Sequence, residues 1–131
     1  MRIIICGGRR WTDDTMIGDA LRKLKAKHPD ATIVHGGASG ADHLAGRAAF
    51  SQGFAVERHP AEWDRYGKAA GWKRNQLMLD LGADMVLAFK DGFDASLKRG
   101  GTEHMVRIAV DAGIPTWVQS HEFKTKRVVP T

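Results

Sequence analysis

Short β-branched runs alternate along the chain with longer stretches whose apolar residues recur every three or four positions, and glycines separate nearly every pair of blocks. Arg2 to Cys6 is such a run, closed at once by Gly7-Gly8, the pattern of a strand buried on both faces. Met16, Ile17, Ala20, Leu21 and Leu24 then follow helical spacing behind the capping candidates Thr12, Asp13 and Asp14, until His28-Pro29-Asp30 stops the helix. Ala31 to His35 predicts a second strand, closed by Gly36-Gly37-Ala38-Ser39-Gly40. Ala41, Leu44, Ala45, Ala48 and Gln52 mark one face of a second helix that ends at Gly53, and Ser39 and Asp42 have the spacing of a capping box. Phe54 to His59 predicts a third strand, ended by Pro60. After an irregular stretch over 61–71, a helix is expected from about Lys73 to Leu81, then a fourth strand from Met85 to Phe89. A charged loop from Lys90 to Arg99 leads into Gly100-Gly101-Thr102 and a helix with Met105, Ile108, Ala109 and Ala112 inward. Pro115 to Val118 predicts a fifth strand. Alternation of this kind implies βαβ units, hence an α/β fold: a single Rossmann-like domain over 1–118, about five parallel strands flanked by helices on both faces. Residues 119–131 read as a basic C-terminal tail.

Composition narrows the setting. Of 131 residues, 43% are hydrophobic and 27% charged, an ordinary globular mix, and a chain of this length can build a core without a metal or a disulfide. The single cysteine, Cys6, has no partner within the chain, and no Cys/His spacing resembles a zinc site. No apolar run is long enough for a signal peptide or a membrane span. The expectation is a cytoplasmic domain that calls for no cofactor or metal.

The net charge of +5 fits either ordinary solubility or phosphate binding, so the position of the charges decides between them. Arg9, Arg10, Arg58, Arg65, Lys68, Lys73, Arg74, Lys90, Lys98 and Arg99, half of the 20 Lys and Arg residues, fall in or beside loops at the expected carboxyl edge of the sheet. Ligands of open α/β sheets bind at that edge. The same edge holds three glycine pairs, Gly7-Gly8, Gly36-Gly37 and Gly100-Gly101, where backbone amides can approach an anion. No G-x-G-x-x-G follows the first strand and no G-x-x-x-x-G-K-[ST] occurs, which disfavours ordinary dinucleotide and P-loop chemistry. Trp11, Trp63, Tyr66 and Trp72 offer faces for a stacked base or plugs for the core.

Several segments together carry a resemblance: Gly7-Gly8-Arg9, His35-Gly36-Gly37-Ala38-Ser39-Gly40-Ala41-Asp42, Pro60-Ala61-Glu62-Trp63, Tyr66-Gly67-Lys68-Ala69-Ala70-Gly71, Arg74-Asn75, Gly101-Thr102 and Gly113-Ile114-Pro115. Over about residues 3 to 118 the chain resembles the YspA-type, cpYpsA-related SLOG family, small Rossmann-like proteins of bacteria and phages. The wider superfamily takes in the Lonely Guy phosphoribohydrolases, the DNA-processing protein DprA and proposed nucleotide sensors. The resemblance implies a small phosphorylated nucleotide-type ligand and commonly a homodimer or higher homo-oligomer. Single-stranded nucleic-acid binding in the manner of DprA, helped by Lys124, Lys126 and Arg127, and a non-catalytic assembly module are the alternatives.

Carried over by position, the expected ligand and phosphate residues are Gly7, Gly8, Arg9, Gly36, Gly37, Ser39, Asp42, Arg74, Asn75, Gly100, Gly101 and Thr102, with Trp63, Tyr66 or Trp11 stacking on the base. If the ligand is cleaved at its N-glycosidic bond, as in the phosphoribohydrolases, Arg74, Glu103 and Glu62 are the catalytic candidates. Here the chain departs from the hydrolase motif, because the position of the motif glutamate is Met105, which cannot handle a proton. Glu103 lies two residues earlier, about 200° away around an ideal helix, where it either reaches the ligand or only favours the helix dipole. Asp42 either orients a ribose hydroxyl or caps its helix. His35 is an acid/base candidate or a core histidine.

Overall fold

Ile3, Ile4 and Ile5 are each fully buried, and because strand side chains alternate, they serve two different cores. In the computed structural model, which describes residues 1–130, they lie on β1 (Arg2–Gly7), the centre of the sheet. Ile3 and Ile5 pack with Ile17 and Leu21 of α1 (Asp14–Lys27) and with Ala41, Ala45 and Ala49 of α2 (Ala41–Ser51). Ile4 and Cys6 face Met78 of α4 (Ala70–Asp80) and Met105, Val106 and Ala109 of α5 (Gly101–Asp111). Short alanine-rich inner faces let α2 sit close to the sheet.

The remaining strands are β2 (Thr32–His35), β3 (Ala55–Arg58), β4 (Met85–Phe89), β5 (Thr116–Ser120) and β6 (Lys124–Val128), and a short α3 (Trp63–Tyr66) precedes a 3₁₀ turn over Gly67–Ala69. Their order is β3-β2-β1-β4-β5-β6, with β1 to β5 parallel and β6 antiparallel to β5. The order reverses between β1 and β4, so the connections leaving these two neighbours diverge and open a crevice above their carboxyl ends. Among the described residues no helix is long and apolar enough to cross a membrane.

The α/β class, the helices on both faces and the five parallel strands agree with the sequence pattern, and the differences have local causes. The pattern ends the sheet near Val118 and leaves a basic tail; instead β5 runs on to Ser120 and the chain turns back as β6. Its cations are placed by this pairing: Arg127 lies over the Trp117 ring at 5.6 Å and Lys126 over Phe123 at 5.7 Å. Exposed lysines on an edge strand also discourage further strand addition. α4 begins at Ala70, three residues before the expected Lys73, because the irregular stretch is wound into α3 and the 3₁₀ turn. Of the three capping candidates Thr12, Asp13 and Asp14, Asp13 caps α1 by accepting from the Met16 amide. The Ser39/Asp42 capping box does not form: Gly40 precedes α2, and the Asp42 carboxylate turns back to the β2 loop.

Two glycines fix how that loop meets the one after β1. A Cβ on Gly40, whose φ is +77°, would lie 2.3 Å from the Gly8 carbonyl oxygen, and one on Gly7 would lie 2.2 Å from that of Phe89. The Gly8 carbonyl in turn accepts from the Ala41 amide at 3.1 Å, joining the β1 loop to the start of α2. Gly40→Ala should therefore lower stability by about 2 kcal/mol or more, since backbone strain and a backbone clash add. Gly82→Ala, with φ +104° but open space around the new methyl, should cost only about 1 kcal/mol. Denaturant melts of both variants measure the difference.

Candidate functional site

The crevice at the strand-order reversal is a cavity of about 670 Å³, joined through Arg9, Ala38, Trp63 and Arg74 to a smaller lobe of about 330 Å³. The β1 loop contributes Gly7, Gly8, Arg9, Arg10 and Trp11 to the larger lobe. The β4 end supplies Lys90 and Asp91; α4 and the turn before it give Lys68, Trp72, Arg74 and Asn75; and Gly101 and Thr102 start α5. The smaller lobe stands over the ends of β2 and β3, with Gly36, Gly37, Ser39 and Arg58. Both sizes fit small-molecule sites, which span about 300–1,000 Å³.

Cations dominate this surface. Arg9, Arg10, Arg58, Lys68, Arg74 and Arg99 have no carboxylate within 4.0 Å among the described residues; Lys90 alone of the lining cations is ion-paired. Arg74 is held by its surroundings: Nη1 donates to the Gly36 carbonyl at 2.5 Å and Nε to Asn75 Oδ1 at 3.1 Å. Burial, with repulsion from Arg9, pulls its pKa below the usual arginine range despite the attraction of Asp42 and Cys6.

Two carboxylates reach the cavity, and each is engaged. Asp42 is buried and accepts on Oδ2 from the Gly36 amide at 3.0 Å and the Ala38 amide at 3.3 Å. Burial raises its pKa, against the opposing charge of Arg74 and those two amides. Asp91 accepts on Oδ1 from the Ser120 hydroxyl and the His121 amide, and its Oδ2 meets His121 Nδ1 at 2.7 Å.

The catalytic acids expected from sequence lie elsewhere. Glu103 is 1% exposed and does not line the cavity; its two oxygens accept from Lys90 Nζ at 2.7 and 2.8 Å. Gly100 leaves room for this carboxylate, since a Cβ there would lie 2.0 Å from Glu103 Oε1, and so Gly100 serves Glu103 and does not face the cavity. Glu62 is exposed outside both lobes, 4.0 Å from Arg65. His35 is buried, its Nδ1 accepts from the Gly37 amide at 3.0 Å, and burial, then Arg58 and Arg74, lower its pKa. It is therefore a neutral core histidine that holds the turn.

The aromatic residues divide in the same way. Trp11 is buried, stacked on His121 at 4.8 Å and tilted against Phe89 at 5.7 Å, with its indole N–H donating to the Asp13 carbonyl; its ring is occupied by the protein. Tyr66 lies outside both lobes, between Arg65 and Lys73 at 5.0 and 4.8 Å. Trp63 is half exposed and borders both lobes, with Arg9 over its ring at 5.7 Å. Trp72 borders the larger lobe and stacks on His104 at 4.9 Å, and His104 in turn meets Asn75 Nδ2 at 3.1 Å.

Asp91 and His121 are absent from the residues named from sequence, where Arg58 counts only as one of the edge cations and Trp72 only as a stacking or core aromatic. Arg58 is recoverable from strand register, because β2 and β3 pair His35 with Arg58 and so place it at the same edge as the glycine turn. For His121 no local signal exists, since it bridges Asp91 and Asp13, 30 and 108 residues away.

Those contacts clamp the rim of the cavity. His121 Nε2 lies 2.7 Å from Asp13 Oδ2, and the hydrogen bonds to Asp13 and then Asp91 raise the His121 pKa, while His121 lowers both carboxylates. A raised histidine stabilises fully below its unfolded pKa of about 6.5 and loses its contribution as pH rises through the folded value; the lowered carboxylates contribute above about pH 4 and lose theirs on acidification. The clamp is thus strongest between about pH 4 and 6.5. The melting-temperature gap between the parent protein and His121→Gln should be larger at pH 5.5 than at pH 8.5, as scanning calorimetry can measure. Lys90→Met should cost about 3 kcal/mol, because it strands the buried Glu103 charge, and Glu103→Gln should cost less; denaturant melts give both.

The family model for YspA, cpYpsA-related SLOG proteins (YAcAr) matches residues 1–66. The Gene 61 protein of Mycobacterium phage D29 is 43% identical over 120 residues, covering 87% of this chain and 92% of that protein. No solved structure matches the chain.

Proposed function

The chain belongs to the YspA, cpYpsA-related SLOG family, and from that premise we propose that it binds a nucleotide or nucleotide-derived phosphorylated ligand in the cavity at the carboxyl edge of its sheet. One observation carries the reading: five cations without carboxylate partners among the described residues, Arg9, Arg10, Lys68, Arg74 and Arg99, converge on the one concave lobe where the strand order reverses. Like charges held close together repel, and a bound phosphate would relieve that repulsion while gaining charge-assisted hydrogen bonds. In this reading the phosphate lies near Thr102 at the start of α5, among Arg9, Arg74 and Lys68. Asp42, whose Oδ1 accepts from no donor among the described residues, takes a ribose hydroxyl. Trp63 or Trp72 takes the base.

The reading is one of binding. N-glycosidic cleavage calls for a carboxylate that can handle a proton beside the ribose carbon; Glu103 is committed to Lys90, Glu62 stands outside the cavity, and Asp42, which does reach it, is held by two amides of its own loop and in this reading takes a hydroxyl. Lys124, Lys126 and Arg127 belong to β6, which favours a compact ligand over a single-stranded nucleic acid drawn along a basic tail.

Thermal melts with nucleoside 5′-monophosphates, ADP-ribose and cyclic nucleotides, each followed by chromatography for free base, test this. At a hundred times its dissociation constant a true ligand adds about 2.7 kcal/mol, a shift of several degrees. Arg74→Gln should abolish the shift, and no free base should appear. Absence of a shift with every compound overturns the binding reading, and release of base replaces it with a hydrolase.

A further inference from the structure

The smaller lobe has features that a single phosphate at α5 does not use. Its floor is the turn Gly36-Gly37 after β2, and each of these glycines underlies a different arginine. A Cβ on Gly36 would lie 2.1 Å from Arg74 Nη1, and one on Gly37, at φ +69°, would lie 2.4 Å from Arg58 Nε. The turn is bare so that two guanidinium groups, arriving from α4 and from the end of β3, can lie flat against adjacent residues. Neither has a carboxylate within 4.0 Å among the described residues, and Arg9, also without one, borders both lobes.

The amides of this turn are already spent. Gly36 and Ala38 donate to Asp42, and Gly37 donates to His35 Nδ1. An anion here would accordingly be recognised by arginine side chains and the exposed Ser39 at the rim, and not by a glycine-rich backbone cradle. Arg9 and Arg74 belong to both lobes, so an anion in the smaller lobe is separated by a single arginine pair from one near Thr102.

We propose that the ligand is a nucleotide carrying two phosphate groups, and that the smaller lobe takes the second one between Arg58 and Arg74 above Gly36-Gly37. This rests on the nucleotide-binding reading and adds to it the class of nucleotide.

Isothermal titration of the full chain with adenosine and guanosine ligands in three forms tests it: the 5′-monophosphate, the 5′-diphosphate and its ribose ester, and the 3′,5′-bisphosphate. For at least one base, a two-phosphate form should bind ten-fold or more tightly than the 5′-monophosphate. The form that wins distinguishes a pyrophosphate bridge from phosphates on opposite sides of the ribose. Arg58→Gln should weaken the two-phosphate form at least five-fold more than the 5′-monophosphate, with Arg58→Lys keeping part of the advantage. Equal affinity of one- and two-phosphate forms for the parent protein overturns the proposal and leaves nucleotide binding intact, as does an Arg58→Gln variant that weakens both forms alike. If no compound binds, both readings fall together. The parent-protein comparison stands even where a variant fails to fold.

Discussion

Bare backbone at the carboxyl edge is the constraint on which the site depends, and the glycines there chiefly make room for the protein's own groups. At Gly40 the missing Cβ lets the β2 loop touch the backbone of the β1 loop, and at Gly7 it makes room for the Phe89 carbonyl of β4 and for Ala41 at the start of α2. At Gly36 and Gly37 it admits two arginines, and at Gly100 a buried carboxylate. Gly101, with open space around it, and Gly8, where a Cβ would meet only the Lys90 side chain at 3.7 Å, lie bare towards the cavity in the way a phosphate-binding glycine would. Glycine pairs that look alike in sequence therefore do three different jobs.

Charge at this edge is sorted by burial. Glu103, fully enclosed, would be costly to hold without Lys90, and the pair closes the underside of α5 against the β4 loop. The arginines around the cavity keep contact with water and can be left without partners at modest cost, which is the state in which they can meet an incoming anion. Asp42 sits between these regimes: buried, yet held by two amides and attracted by Arg74. It fastens the turn on which Arg74 and Arg58 rest, so the electrostatics of the cavity and the local fold are the same set of contacts.

Fold was legible in the sequence where a local pattern and its burial coincide. The β4 range Met85–Phe89 was read correctly and the α1 cap was narrowed to Thr12, Asp13 or Asp14, because a continuous apolar run and a capping residue are properties of neighbours in sequence. β6 was not, since Lys124 to Val128 carries no apolar alternation and forms a strand only because β5 presents an open edge. The irregular stretch over 61–71 hid α3 for a related reason: a single helical turn is too short to show a period.

The sequence by itself determined the α/β order, the parallel sheet and the gathering of cations at its carboxyl edge, because strand and helix periods and the loops between them are local quantities. Tertiary structure decided which partners engage the charged groups around the cavity, whereas pairs such as Arg22–Asp19 are local to one helix. Glu103 and Lys90 are 13 residues apart, Arg74 and Gly36 are 38 apart, and His121 and Asp13 are 108 apart. Helical spacing placed Glu103 near the ligand or on the helix dipole, but its neighbour in space is a lysine from another loop. Pairing across elements depends on distance and burial, and neither is encoded in the spacing of residues along one element.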